Sequence, residues 1–477
     1  MKMRNYLKHY INGEWVESTG NETEDVINPA TEEVIGTISL GTKEDLDKAV
    51  QAARDAFPSF SQTSKEERIK MLEDIAAEYE NRKEEIIETI TEELGSPKTI
   101  SENLHYMMGY NHFSQAAESL RDFSFIEDRG GHTVMKDSVG VSGLITPWNF
   151  PTNQISTKIA SAFAAGSPVI AKPAELTPFA AIILTEIFDK VGVPKGAFNL
   201  VNGSGSVIGD GISSHPDIDF VSFTGSGAVG QKIMQNASER IANVALELGG
   251  KSPLVVLEDA DVEKAARAAV SHIATNSGQV CSAATRVLVP SSMKDSFEEA
   301  IKKVLPEFPV GDPQGDNHIG PLVSQKQWDT VQSYIEKGQE EGATLLVGGT
   351  GKPDGLDKGY YAKPTVFTDV NNDMVIAQEE IFGPVTCVLT YDTIEEAIQI
   401  SNDIKYGLAG YVFGEDEQTL AKVASSIRAG RVKINDAEAD FAAPFGGYKQ
   451  SGIGREWGDY GIEEYLEVKT VLGYPKL

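Results

Sequence analysis

Of the two cysteines in the chain, only one sits where a nucleophile could work. Cys281 lies in TNSGQVCSAATR (275–286), among small and polar neighbours, with Gly278 permitting close approach and a predicted helix ending just before it. Cys387 lies in the β-branched run PVTCVLTY and reads as a small core hydrophobe. At a reference pKa of about 8.5 only a few per cent of a thiol is ionised at neutral pH, so Cys281 needs a nearby base or a lowered pKa. Gly225-Ser226-Gly227-Ala228-Val229-Gly230 follows the strand-like IDFVSFT and opens a predicted helix, the context in which GxGxxG cradles a dinucleotide. That fingerprint calls for an acid about 20 residues on to hold a ribose, and Glu247 in ALELGGKSP falls close to the position. Trp148-Asn149-Phe150-Pro151 and Lys172-Pro173-Ala174-Glu175 each close a strand-like run, which puts amide, aromatic and charged groups at one edge of a sheet. Phe445–Gly452 is rich in glycine but lacks the terminal GK[ST] of a phosphate loop. The seven histidines show neither metal spacing nor HExxH, so no metal site is expected.

These residues need a scaffold. Thr42-x-x-Asp45 and Ser64-x-x-Glu67 have the form of capping boxes, and one apolar helix face follows each, through Leu46, Ala49, Val50 and Ala53 and through Ile69, Leu72, Ile75 and Tyr79. The first hundred residues therefore read as helical after a short strand-like start, ending at Gly95 and Pro97. From about 139 strand and helix alternate: strands at 168–172, 197–201 and 219–223, with a helix at 178–191. A second alternation starts near Ser252, with a strand at 254–257, a helix at 262–274 and a strand at 285–289. Alternation of this kind builds parallel sheets from βαβ units, so two α/β lobes are expected. The segments 121–137, a hairpin around Arg129-Gly130-Gly131, and 464–474, an alternating strand, fit neither lobe.

Composition bounds the partners. The chain has 477 residues, 40% hydrophobic and 24% charged, and 42 basic against 71 acidic residues leave a net charge of -29. Such a surface repels nucleic acid and anionic lipid. No apolar run is long enough to span a membrane, the N-terminus lacks a signal-like apolar stretch, and two cysteines suit a reducing cytoplasm. A cytoplasmic enzyme or binding protein is expected, with a small molecule rather than nucleic acid or membrane as its partner.

Taken in order, INPATEEVIG, PWNFP, KPAE, FTGS with Gly230, LELGGKSP, GQVCSAATR, EEIFGPV, PFGGYKQSGIGRE and EVKTV resemble the aldehyde dehydrogenase superfamily through nearly the whole chain. The resemblance implies an α/β fold with a Rossmann-variant NAD-binding domain (1–118 and 139–249), a catalytic α/β domain (250–447) and a small β oligomerisation arm (119–138 and 448–477). It implies Cys281 as nucleophile, Glu247 as general base and Asn149 as oxyanion donor. Trp148, Lys172, Glu175, Gly205, Gly209, Gly225, Ser226, Gly230, Glu380 and Phe382 would bind NAD, or NADP. By this resemblance the ribose acid is Glu175, upstream, and Gly227 completes GxGxxG by accident. The implied reaction oxidises an aldehyde to its acid with NAD(P)+ and water, without metal, in a homodimer or homotetramer. A coenzyme A-dependent acylating enzyme and a catalytically silent relative are the alternatives; Glu247 speaks against the first, and the retention of Cys281, Glu247 and Asn149 together against the second.

If 150–158 is helical, Phe150, Asn153, Gln154 and Thr157 share one face, which in the family lines the aldehyde tunnel. The loop 435–444 adds Asp436, Glu438 and Asp440, and neither segment holds an arginine. A polar wall with acids at its mouth would favour small polar or cationic aldehydes over carboxylate-bearing ones.

Overall fold

The computed structural model describes residues 3–475. Two large sheets organise it. The first has eight strands in the order Gly452–Ile453, Asn243–Glu247, Phe220–Thr224, Ser142–Ile145, Val169–Lys172, Phe198–Leu200, Lys8–Ile11 and Glu14–Glu17. Its five central strands, from Asn243–Glu247 to Phe198–Leu200, run parallel, and the outer ones pair antiparallel. The chain progresses one way from Ser142–Ile145 and then returns to its other side at Phe220–Thr224. The strand order thus reverses between these two strands, and a crevice opens beyond their carboxyl ends, where α/β sheets hold ligands. The second sheet has seven strands in the order Thr344–Val347, Thr365–Thr368, Val385–Tyr391, Ala284–Pro290, Ser252–Val256, Ala409–Phe413 and Arg431–Ile434, parallel except at Thr344–Val347.

Local sequence explains the helices around them. Both capping boxes form: Thr42 and Ser64 accept from the backbone N–H of Asp45 and Glu67, whose carboxylates bond back to the cap N–H. The helix Pro151–Ala165 has proline at its first position, where the missing N–H costs nothing, and every one of its residues is buried. It packs against the helices Lys65–Asn81, Met107–Asp122 and Phe179–Val191, so a helix carrying Asn153, Gln154 and Lys158 runs through the core.

The beginning of the chain holds more strand than its sequence suggests. Arg4–Tyr6, Glu33–Ser39 and Thr23–Asn28 form a three-stranded sheet, and Lys8–Ile11 and Glu14–Glu17 extend the first large sheet. These strands are short and several are largely exposed, so they lack the sustained two-residue alternation that marks a half-buried strand. The helix Met107–Asp122 runs into the segment read as a hairpin, and the strands proper are Ile126–Asp128 and Thr133–Ser138. They do not lie alone. Leu466–Val471 pairs antiparallel with Thr133–Ser138 in full register, from Leu466 opposite Ser138 to Val471 opposite Thr133, giving a separate three-stranded sheet.

Candidate active site

A cleft of about 680 Å³, including its open mouth, lies at the strand-order reversal of the first sheet. Trp148, Asn149, Gly225, Ser226, Glu247, Leu248, Gly249, Cys281, Gln327, Glu380 and Phe382 line it, so residues 234 positions apart in sequence meet there. Each arrives by its own route. Asn149 follows the strand Ser142–Ile145, and Glu247 is the last residue of its strand. Cys281 sits between the helix Val262–Ala274 and the strand Ala284–Pro290.

The turn before Cys281 is unusual backbone. Asn276, Ser277 and Gly278 all have left-handed φ, at 50°, 56° and 72°. Non-glycine residues rarely adopt this region, and two in succession persist only where side chains hold them. Asn276 Nδ2 donates to the Asn149 carbonyl at 2.8 Å, Ser277 Oγ donates to the Gly320 carbonyl, and Gln279 Oε1 accepts from the Val323 N–H. A Cβ on Gly278 would lie 2.0 Å from the Gly383 carbonyl oxygen. Asn149 is 3% exposed, and its Nδ2 donates to the Gln279 carbonyl at 3.0 Å. One of its two amide hydrogens is therefore fixed, which orients the other.

Glu247 is 4% exposed, and neither carboxylate oxygen has a hydrogen-bond partner among the described residues. Burial raises its pKa well above the ordinary carboxylate value; the Glu456 charge raises it further, and Lys158 opposes. Lys158 and Glu456 form a buried pair at 2.5 Å, with Lys158 Nζ also donating to Ser222 Oγ. Gly446 comes close enough that an added Cβ would sit 2.8 Å from Glu247 Oε1, so a side chain there would crowd the carboxylate. The half-buried Cys281 thiol is pushed up to about 12 by burial, then by the Glu380 and Glu247 carboxylates, against a lowering from Arg431.

The cleft and the neighbouring strand end offer groups suited to a dinucleotide. Lys172 Nζ and Glu175 Oε2 lie 3.1 Å apart at the carboxyl end of Val169–Lys172, and Glu175 Oε1 accepts from the Gly205 N–H at 2.9 Å. Gly205–Gly209 is a short helical turn over this pair, and a Cβ on Gly209 would only graze Lys172. Ser226 starts the helix Gly227–Ser238 without capping it through its side chain, so the first N–H groups of that helix are free for an anion. A Cβ on Gly225 would strike Phe223 and one on Gly230 would strike Leu248, whereas one on Gly227 would meet nothing. Glu380 accepts from the Gly250 N–H at 3.0 Å, and burial lifts its pKa to about 7. Phe382 has φ 58° and meets Trp148 edge-to-face at 5.4 Å, held by Gln327 Nε2, which donates to the Ile381 and Phe382 carbonyls.

Of the site residues named from the sequence, Trp148, Asn149, Gly225, Ser226, Glu247, Cys281, Glu380 and Phe382 line this cleft. Lys172, Glu175, Gly205 and Gly209 gather at the carboxyl end of the strand Val169–Lys172, outside its lining, and Gly230 lets its helix pack against Leu248. Sequence reasoning missed Gln327, which lines the cleft, and Lys158, Glu456, Asn276 and Gln279, which act on it through other residues. Lys158 alone left a signal, as the one charged residue of the helix Pro151–Ala165.

Comparison with known proteins follows the same lines. The aldehyde dehydrogenase family profile matches residues 15–471. A Staphylococcus haemolyticus protein assigned by name to the aldehyde dehydrogenases is 60% identical over 473 residues, covering 99% of this chain and 100% of that one. The structure of aldehyde dehydrogenase C from Pseudomonas syringae, a mutant in complex with NAD+ and octanal, superposes with a TM-score of 0.97 at 42% identity, covering 98% of this chain and 97% of that one. Betaine aldehyde dehydrogenase from Staphylococcus aureus in complex with NAD+ gives 0.94 at 42% identity, over 99% and 96%. The chain belongs to the aldehyde dehydrogenase family.

Proposed function

We propose that the protein oxidises an aldehyde to its carboxylic acid, with NAD+ as oxidant and water as final nucleophile. One observation supports this most: Cys281, Asn149 and Glu247 face one cleft that Ser226, at an open helix N-terminus, also lines, with Lys172 and Glu175 at the carboxyl end of the strand next to Ser142–Ile145. The cleft fits the dinucleotide by its donors. Lys172 and Glu175 suit the adenosine ribose, with Gly205 and Gly209 leaving the backbone close to it. Ser226 and the helix that Gly225 and Gly230 admit suit the pyrophosphate. Glu380, Phe382 and Trp148 suit the nicotinamide ribose and ring. Glu175 disfavours a 2′-phosphate by charge, so NAD+ is the assigned cofactor rather than NADP+.

Cys281 attacks the aldehyde carbonyl, forming a thiohemiacetal. The free Asn149 amide hydrogen and the Cys281 backbone N–H donate to the oxyanion, each such donor contributing about 3–4 kcal/mol. NAD+, when bound, supplies the hydride acceptor that turns the thiohemiacetal into a thioester, together with a positive charge that favours thiolate. Glu247 then takes a proton from the water that attacks the thioester, a task suited to a carboxylate whose pKa burial has raised. Its lack of fixed partners leaves it free to reach that water. Lys158 offsets the negative charge behind it, and the Glu456 carboxylate offers the proton a next acceptor. An acylating enzyme, which hands the acyl group to coenzyme A, has no use for such a base. Mixing the protein with NAD+ and a panel of aldehydes, without coenzyme A, should produce absorbance at the reduced-cofactor wavelength; absence of turnover with every aldehyde would end this reading.

A further inference from the structure

Cys281 has a second set of neighbours. Apart from the cofactor cleft it packs against a cluster of Leu408, Phe445 and Trp457 with Met108 and Phe441, and the two sets share no other residue. Trp457 stacks between Phe441 and Phe445, with centroids 5.2 and 5.0 Å away and planes 21° apart in both cases. Against this stack lies a cation. The Arg431 guanidinium carbon is 4.9 Å from the Phe445 centroid and 5.5 Å from that of Trp457. Its Nε is buried without a hydrogen-bond partner, and no carboxylate comes within ion-pair distance of it among the described residues.

Lys433, two residues along the same edge strand, is likewise half-buried and unpaired among the described residues. The two cations are felt nearby. Burial, then Lys433 and Arg431, hold His272 down at about 4, and Arg431 lowers both Cys281 and Lys433. Neither cation forms an ion pair among the described residues, although the Asp436 carboxylate is near enough to raise Lys433. Asp436, Glu438 and Asp440 are all exposed, and Asp440 is occupied in accepting from the Ala442 N–H. Judged from the 435–444 loop alone the tunnel mouth looks acidic; Glu380 and Glu247 act on the sulfur from the cofactor cleft, while the charge on the aromatic side is the positive one of Arg431. The helix face of Asn153, Gln154 and Thr157, with His112 against the aromatic stack, is polar and neutral. His112 contacts Phe441 and Trp457, lies 2.6 Å from Asn153 Oδ1 and is held near 4 by burial, while Gln154 Oε1 and Thr157 Oγ1 are buried without partners.

We propose that Arg431, assisted by Lys433, receives a carboxylate at the far end of the substrate, so that the protein prefers short aldehydes bearing a terminal carboxylate. A guanidinium stacked on aromatic rings keeps its donor edge open, and that edge matches a carboxylate in two parallel hydrogen bonds. The bond-making chemistry is unchanged, because the carboxylate is a handle and the aldehyde at the other end meets Cys281. This inference rests on the proposed aldehyde oxidation.

The test compares kcat/KM for succinic semialdehyde, butanal and 4-trimethylammoniobutanal, each with a four-carbon chain, in the wild type, Arg431→Gln and Arg431→Lys. The wild type should favour the succinic compound, and Arg431→Gln should cut its kcat/KM relative to butanal by about tenfold to a hundredfold, chiefly through KM. Arg431 also favours the Cys281 thiolate, so kcat for every aldehyde will fall together, and the ratio is the reading that matters. Arg431→Lys should restore part of it. If Arg431→Gln does not fold, succinate inhibition of wild-type butanal oxidation replaces it: competitive inhibition that weakens with salt supports the proposal, and none overturns it. Butanal oxidised as well as succinic semialdehyde, or an unchanged ratio in Arg431→Gln, defeats the carboxylate handle alone. No aldehyde oxidised at all defeats the reaction assignment.

Discussion

Cys281 and Glu247 can be separated by what each variant leaves behind. Cys281→Ala should remove turnover while changing the dinucleotide Kd by no more than about threefold, since the sulfur contacts the acyl group and not the cofactor's anchors; isothermal titration checks it. Glu247→Gln should still be acylated but deacylate about 10²–10⁴-fold more slowly, so intact-protein mass spectrometry should find an acyl adduct on Cys281. The same residue sets a pH dependence. Its raised pKa means that it is protonated, and useless as a base, at low pH; kcat should climb as pH rises through that value and flatten in Glu247→Gln. These two residues were legible because each sits in a dense local motif. Arg431 was not, because nothing in RAGRVKIND distinguishes an arginine paired at the surface from one laid on Phe445 and Trp457. Contacts made across a loop, to residues 14 and 26 positions on, leave no local pattern.

Elements hold these side chains by steric exclusion as much as by attraction. Gly278→Ala would place a left-handed alanine against the Gly383 carbonyl, at about 1–2 kcal/mol for the backbone alone and more for the collision. It should lower both the melting temperature and kcat, because the displaced turn carries Cys281. Thr42→Ala makes the contrast. Losing that cap should cost about 1 kcal/mol of stability and leave kcat intact, which thermal unfolding with parallel kinetics would show. Both capping boxes and the long periodic helices could be read from sequence because their signals span fewer than twenty residues. The early strands could not. Thr23–Asn28 becomes a strand only by pairing with Glu33–Ser39, and three of its six residues face solvent.

For the whole molecule, the three-stranded sheet of Ile126–Asp128, Thr133–Ser138 and Leu466–Val471 poses the main question. Its outer strands have unpaired edges among the described residues, and Val468 and Leu472 are exposed. We propose that these edges meet a second copy, giving a homodimer or a pair of dimers. Deleting 464–477 should then yield monomer or aggregate by light scattering, and a well-folded active dimer would contradict it. The sequence placed both segments outside the two lobes but could not say that they pair with each other across more than three hundred residues. The last stretch of chain does something else as well. Gly452–Ile453 closes the edge of the sheet beside Leu246 and Glu247, Ser451 bonds to Leu248, Gly249 and Gly407, and Glu456 completes the pair behind the base. Synthesis proceeds from the N-terminus, so Cys281 leaves the ribosome long before these contacts can form. A nascent chain therefore carries its sulfur without a fully positioned base until residues 451–456 have been made and have folded back beside Glu247.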